Sequence, residues 1–225
     1  MKLLLDAIFP PRESELVVRA CTTDDLVALL SPTVIRVPGS EISEVTSLLP
    51  YQHPLVQACV LEAKFHGNAR ATALLGHALC EYLTDFIIKS LEFPQENIIF
   101  VPIPLSRARL RSRGYNQTER IAREAFNSAR DEFEGRVCLE PNLLRRTRDT
   151  QPQTSLGGAA RRQNMIEAFI LSPSVQTDQS YQAFNPAHTY ILFDDVVTTG
   201  ATLSSAVQTL KNAGAHRVFA LALAH

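Results

Sequence analysis

The stretch Tyr190-Ile191-Leu192-Phe193-Asp194-Asp195-Val196-Val197-Thr198-Thr199-Gly200-Ala201-Thr202 decides the fold. Four large apolar residues in a row, closed by two carboxylates, read as a strand covered on both faces whose carboxyl end opens to solvent. A Thr/Gly-rich turn follows and runs into apolar residues at helical spacing: Leu203, Ala206, Val207 and Leu210. Lys211 in the last turn and Gly214 just beyond mark the helix end. Two neighbouring acceptor-only carboxylates suit paired hydroxyls such as those of a ribose. The backbone N–H groups of the turn and the helix N-terminus behind it suit an anion. Gly200 permits close approach of backbone, and Thr198, Thr199 and Thr202 offer hydroxyls. No lysine follows the glycine, which excludes a Walker-type nucleotide loop.

Working outward, the same alternation of strand and helix continues in both directions. Ile98-Ile99-Phe100-Val101 is a second short apolar run, and Val218 to Leu223 a closing one. Between them, Ala122, Ala125, Phe126 and Ala129 mark one helix face, and Ala168 to Leu171 reads as a further strand. Residues 172–188, rich in Ser, Gln and Asn, read as an exposed connection. Upstream, His53 to Phe65 reads as a helix ending at Gly67, and a longer helix follows with Ala71, Leu74, Leu75, Ala78, Leu79 and Tyr82 at its spacing. Residues 1–50 mix short apolar runs with prolines and resolve into no clear pattern. Strand–helix–strand units in this order predict an α/β fold with a parallel sheet whose ligands sit beyond the strands' carboxyl ends. The expected division is a smaller N-terminal hood or flanking region at 1–95 and the α/β domain at 96–225.

The chain has 225 residues, 45% of them hydrophobic and 20% charged, as in ordinary globular proteins. No apolar run approaches the roughly 20 residues of a membrane span. Met1-Lys2-Leu3-Leu4-Leu5 is cut short by Asp6, so no signal peptide is expected and the predicted location is cytoplasmic. Cys21, Cys59, Cys80 and Cys138 are scattered without metal-ligand spacing, which predicts reduced core thiols. The net charge of −1 conceals a basic segment: residues 107–162 hold 13 Arg against 7 Asp or Glu. Arginine's planar fork fits phosphate and pyrophosphate better than lysine does.

The Asp194–Asp195 segment resembles the 5-phosphoribosyl-1-pyrophosphate (PRPP) signature of the type I phosphoribosyltransferases. The resemblance implies that Asp194 and Asp195 are the catalytic pair on the ribose hydroxyls, and that Val197, Thr198, Thr199, Gly200, Ala201 and Thr202 wrap the 5′-phosphate. Val101-Pro102-Ile103-Pro104-Leu105-Ser106-Arg107 resembles the pyrophosphate-loop region, implying contacts from Ile103, Pro104, Leu105, Ser106 and Arg107. Arg109, Arg111 and Arg113 extend the basic run. Arg113-Gly114-Tyr115-Asn116-Gln117, Arg161-Arg162-Gln163-Asn164 before Ala168-Phe169, Phe9-Pro10-Pro11 and Lys64-Phe65-His66-Gly67 are similar to motifs of the ComF competence family. The cysteine-rich zinc module that many such proteins carry after Phe-Pro-Pro is replaced here by Arg12-Glu13-Ser14, so zinc is not carried over.

The family resemblance implies a phosphoribosyltransferase, a glycosyltransferase acting on PRPP or binding ribose 5-phosphate. Mg2+ would be held through PRPP rather than by the protein, and the process would be DNA uptake in natural transformation. Arg109, Arg113, Arg161 and Arg162 are candidate lid or basic contacts, with residues 147–158 as the lid. Thr198 stands where purine-salvage members place a proton-accepting aspartate, which argues against hypoxanthine or guanine as acceptor. Two alternatives stand beside the enzyme: a non-catalytic PRPP sensor, and a competence accessory protein binding single-stranded DNA, with Tyr115 or Phe126 as stacking surfaces.

Overall fold

Strand β7 runs Thr189–Val196, with its first five residues all buried. The structure, a computed structural model, describes residues 10–37, 44–89, 97–133, 135, 137–147, 168–173 and 184–225. Before β7 come α1 (Glu13–Ala20), α2 (Thr23–Val27), β1 (Thr33–Arg36), β2 (Glu44–Leu49), α3 (Pro54–Phe65) and α4 (Ala69–Lys89). They are followed by β3 (Ile98–Pro102), α5 (Arg107–Arg113), α6 (Gln117–Ser128), α7 (Arg130–Phe133), β4 (Val137–Leu139), β5 (Leu144–Arg146) and β6 (Phe169–Leu171). After β7 come α8 (Ala201–Asn212) and β8 (Arg217–Ala224). The fold is α/β: a six-stranded sheet in the order β1-β2-β8-β7-β3-β4, parallel except for β1.

Side chains alternate across the sheet with a period of two, and each face collects its own layer. Phe100, Ile191, Phe193 and Leu221 pack under α1, α3, α4 and α6. Val101, Tyr190, Leu192 and Ala220 pack against α8 and the residues around β5 and β6. The helix after β3 therefore lies on one face and the helix after β7 on the other. The chain winds away in opposite directions from β3 and β7, and in such sheets a ligand crevice opens at the carboxyl ends of those two strands.

Among the described residues of 1–95, β2 pairs in parallel with β8, and α3 and α4 share the core layer of Phe100. One expectation needs correction. Of Ala168 to Leu171, Phe169–Leu171 does form a strand, but β6 pairs antiparallel with β5 in a separate two-stranded ribbon. That ribbon is fastened to α8 by the Thr209 hydroxyl, which donates to the Phe169 carbonyl at 3.3 Å.

Candidate functional site

Pairing of β3 with β7 ends at Pro102 opposite Phe193, and the Ile103 N–H still donates to the Phe193 carbonyl at 2.8 Å. Asp194 and Asp195 thus begin where β3 leaves the sheet. The chain turns through residues 103–106 into α5, which Ser106 caps by accepting from the Arg109 N–H at 3.3 Å. Gly114 ends α5 with a φ of 81°, a conformation that suits glycine. Asn116 then caps α6 with its side-chain oxygen and ties the turn back by donating from Nδ2 to the Ile103 carbonyl at 3.0 Å.

These elements enclose a cleft of about 160 Å³. Asp194, Asp195, Lys64, Arg109, Arg113 and Arg146 supply its charged lining. Ile103, Pro104, Leu105, Gln117, Val196 and Thr202 complete the wall. Asp195 is 5% exposed and meets three donors. Its Oδ2 accepts from Gln117 Nε2 at 2.8 Å and meets Lys64 Nζ at 2.7 Å, while Oδ1 accepts from the Val196 N–H at 2.9 Å. Gln117 is itself held by Arg113, which donates to its Oε1.

The two carboxylates differ electrostatically. Burial, reinforced by the charge of Asp195, pushes Asp194 up to about 7. Burial also acts to raise Asp195, but the Lys64 charge and the donors from Lys64, Gln117 and Val196 outweigh it and hold that carboxyl below its usual range. Asp195 is therefore ionised at neutral pH while Asp194 gains its charge as pH rises through about 7, opposite three arginines and a lysine.

Of the residues anticipated in the phosphate turn, Thr202 lines the cleft and Val197 is buried, its N–H donating to the Ala224 carbonyl at 3.0 Å. Thr198 and Thr199 are exposed, and Ala201 begins α8. Gly200 has a φ of 70° and no side-chain cap, leaving the first turn of the 12-residue α8 for other acceptors. A Cβ on Gly200 would come within 2.6 Å of Val37 Cγ2, so the glycine is required by packing as well as by backbone.

The arginine run separates by helical rotation. Arg109 and Arg113, four residues apart, share the face that lines the cleft, whereas Arg107 is exposed and outside the lining, as is Arg111. Ser106 is buried as the cap. Arg161, Arg162 and all of the expected lid except Thr147 lie outside the described residues. Both aromatics named for stacking are half-buried and already make ring contacts. Phe126 packs on Phe100 and Phe133 at 5.5 and 5.0 Å, and the Tyr115 ring lies under the Arg120 guanidinium.

The sequence singles out neither Lys64 nor Gln117 as a site residue, and it groups Arg146 with Arg145 and Arg148 as DNA contacts, whereas the structure places Arg146 in the cleft lining. Two of the three lie in the Lys64-Phe65-His66-Gly67 and Arg113-Gly114-Tyr115-Asn116-Gln117 motifs, which the structure joins. The Tyr115 hydroxyl lies 3.1 Å from the carbonyls of both Ala63 and Lys64, and Gly67 leaves room beside its ring. Arg113 also stacks over Phe65 at 5.4 Å. Arg146, buried in β5, stacks over Phe169 at 5.4 Å, which anchors the two-stranded ribbon at the rim of the cleft. No helix among the described residues is long and apolar enough to cross a membrane.

No family model matches the chain. Over 121 residues it is 31% identical to a protein named Competence protein F from Haemophilus influenzae, a match covering 52% of this chain and 46% of that protein. Over 182 residues it is 27% identical to the DNA utilization protein YhgH of Escherichia coli K12, covering 80% of this chain and 70% of that protein. The protein of the same name from Shigella flexneri is 26% identical over 182 residues. The chain thus spans about half the length of the Haemophilus relative.

Proposed function

Starting from a chain that is a homologue of the ComF proteins, we propose that the cleft binds PRPP and that the protein acts as a phosphoribosyltransferase in DNA uptake. One observation carries this reading: a carboxylate pair and three guanidinium groups meet at the carboxyl ends of β3 and β7. Carboxylates accept from ribose hydroxyls, and arginines pair bidentately with phosphate oxygens. The uncapped first turn of α8 offers N–H groups to the 5′-phosphate. In the transfer, the bond from C1 to the pyrophosphate oxygen breaks, pyrophosphate leaves with the electron pair, and an acceptor nucleophile bonds to C1. Arg109, Arg113 and Arg146 would offset the charge that develops on the leaving group.

Magnesium fits this site as the counterion of the diphosphate. Two carboxylates are hard oxygen donors but too few for a protein cage. Among the described residues no group of three or more His, Cys, Asp or Glu could hold a metal, so phosphate oxygens would complete its coordination. Bound there, the ion would neutralise part of the pyrophosphate charge.

Calorimetric titration with PRPP and magnesium tests binding, and pyrophosphate release across a panel of nucleobases tests transfer. No heat of binding would refute the reading, and binding without release would reduce it to a sensor. Single-stranded DNA is a second reading, favoured by the exposed Arg107 and Arg111 beside the cleft.

A further inference from the structure

Phe65, the last residue of α3, is 59% exposed, the most exposed large hydrophobic side chain among the described residues. It directly follows Lys64, whose ammonium reaches into the cleft to Asp195 at 2.7 Å. The Arg113 guanidinium lies over one face of the phenyl ring, 5.4 Å from its centroid. That arginine is shared, because it also lines the cleft and donates to Gln117 Oε1. A single exposed phenylalanine carries little meaning by itself. Here the ring stands at the rim of the cleft and is joined to its wall by one side chain. Its position is also held from behind. The Tyr115 hydroxyl lies 3.1 Å from the Ala63 and Lys64 carbonyls, and the His66 and Asn68 N–H groups close the helix end on the Glu62 carbonyl at 3.2 and 3.1 Å.

We propose that Phe65, backed by Arg113, is the stacking platform for the group that accepts the phosphoribosyl unit, which makes that acceptor a planar heterocycle and not an aliphatic amine or alcohol. The inference rests on the PRPP reading for the sugar phosphate but not for the stacking. A phenyl ring with a guanidinium over one face presents its remaining surface to another flat π-system. One ring is far too small an area for a protein partner, and it matches a single base. Stacking is also tolerant, since every base has a π-face, so this platform selects flat rings as a class and leaves the choice among them to other contacts. Phe65 thereby acts as a specificity-determining residue beside a cleft whose charged lining suits phosphate and ribose but offers an aromatic ring no apolar face.

The test compares ligands that share the sugar phosphate and differ in the base: adenosine 5′-monophosphate, uridine 5′-monophosphate and ribose 5-phosphate. By calorimetry, at least one of the two nucleotides should bind the wild-type chain about tenfold or more tightly than ribose 5-phosphate, the gain expected from one stacked base. Phe65→Ala, which removes little buried surface, should cut that preference to about threefold or less, and Phe65→Trp should restore it. No preference in the wild type, or a preference that survives Phe65→Ala, would overturn the platform. The chain contains no tryptophan, so Phe65→Trp also places a single fluorophore at the rim. Adenine should quench it saturably, and ribose 5-phosphate should not. Should the wild-type chain bind neither PRPP nor ribose 5-phosphate, the PRPP reading fails by itself, while quenching by adenine still decides the stacking. Quenching by a thymidine oligonucleotide, with none by adenine or the nucleotides, would assign the ring to single-stranded DNA and overturn the acceptor assignment.

Discussion

Gly76 of α4 lies against Glu124 of α6 so closely that a Cβ built on it would stand 2.5 Å from the Glu124 Cβ. The same Cβ would meet the Ile121 carbonyl oxygen at 3.1 Å, so neither neighbour is a flexible tip that could swing away. Glycine here lets two helices approach over Phe100 and the rest of that core layer. Gly76→Ala should therefore destabilise by about 1–3 kcal/mol through overpacking, although alanine is intrinsically the better helix former by about 1 kcal/mol. Urea unfolding measures the balance, and a stabilised variant would show that the helices separate freely.

Glu62, buried on α3, is the anchor of the N-terminal helix. Arg12 donates to both its oxygens at 2.9 and 2.8 Å, Ser14 at 2.7 Å and Asn68 at 3.1 Å. The Arg12 hydrogen bonds, against the opposing effect of burial and with help from Ser14 and Asn68, bring its carboxyl down to about 2. A depressed carboxyl stabilises the fold at neutral pH, and that contribution is lost as pH falls from its ordinary value of 4.5 through about 2. Glu62→Gln should lower the melting temperature at pH 7 and flatten its acid dependence across that window. Parallel acid profiles for the two proteins would contradict the role given to Glu62.

Asp194 behaves in the opposite sense. Its carboxyl is raised from 3.8 to about 7 by burial and by Asp195, so the folded chain holds this proton more tightly than the unfolded one. The contribution to stability is complete below pH 3.8 and is lost as pH rises through about 7. The groups facing it are Asp195 on its own strand, Lys64 from α3, Arg109 and Arg113 from α5, and Arg146 from β5. Asp194→Asn should remove the decline in stability between about pH 4 and 7 that this residue causes. Ligand affinity should run the other way, rising to above about pH 7 as the acceptor ionises. Calorimetry at about pH 6 and about pH 8 reads it, and equal affinities would remove Asp194 from the ligand.

How much of this was legible in the sequence depended on whether the signal was local. The runs Ile98 to Val101 and Tyr190 to Phe193 gave β3 and β7 because a strand buried on both faces must be continuously apolar. α3 and α8 carried their own signals in Pro54 after His53 and in Gly214. β2 was not recognised: Glu44-Val45-Thr46-Ser47-Leu48-Leu49 carries Thr and a buried Ser, and its place in the sheet is set by β8, not by propensity. The acidic pair was visible as chemistry, but its partner Lys64 stands on a distant helix and reaches it only through the tertiary fold. The spacing of Arg107, Arg109, Arg111 and Arg113 implied that some present guanidinium groups to a pyrophosphate and others face solvent, without saying which. A helix turns about 100° per residue, which sends alternate arginines apart.

Gly200 is held in its turn by Val37. Its φ is 70°, and a methyl group added there would lie 2.6 Å from Val37 Cγ2, so Gly200→Ala meets both backbone strain and a clash. Stability should fall by about 1–3 kcal/mol. Val37→Ala in the same chain should restore part of the loss, since only the clash is relieved. A double variant no more stable than Gly200→Ala would assign the whole cost to the backbone.

The arginines give the last test, because the helix has sorted them. Arg109 and Arg113 line the cleft from one face of α5, Arg146 enters from the two-stranded ribbon, and Arg107 and Arg111 are exposed outside the lining. An arginine that lines the cleft can reach a bound phosphate with charge-assisted hydrogen bonds even where, like Arg109, it is exposed, whereas one outside the lining contributes little beyond long-range attraction. Arg109→Ala or Arg146→Ala should therefore weaken PRPP binding by about tenfold or more. The Arg107→Ala/Arg111→Ala double variant should stay within about threefold. With a fluorescent single-stranded oligonucleotide the order should reverse, the exposed pair carrying the larger, strongly salt-dependent share of anisotropy change. Arg146 separates this model from one based on sequence position alone, since it neighbours Arg145 in the basic run yet is buried in the cleft wall. If Arg145→Ala and Arg146→Ala lose PRPP equally, burial does not determine which arginines serve the ligand, and a single shared phosphate groove describes the surface better.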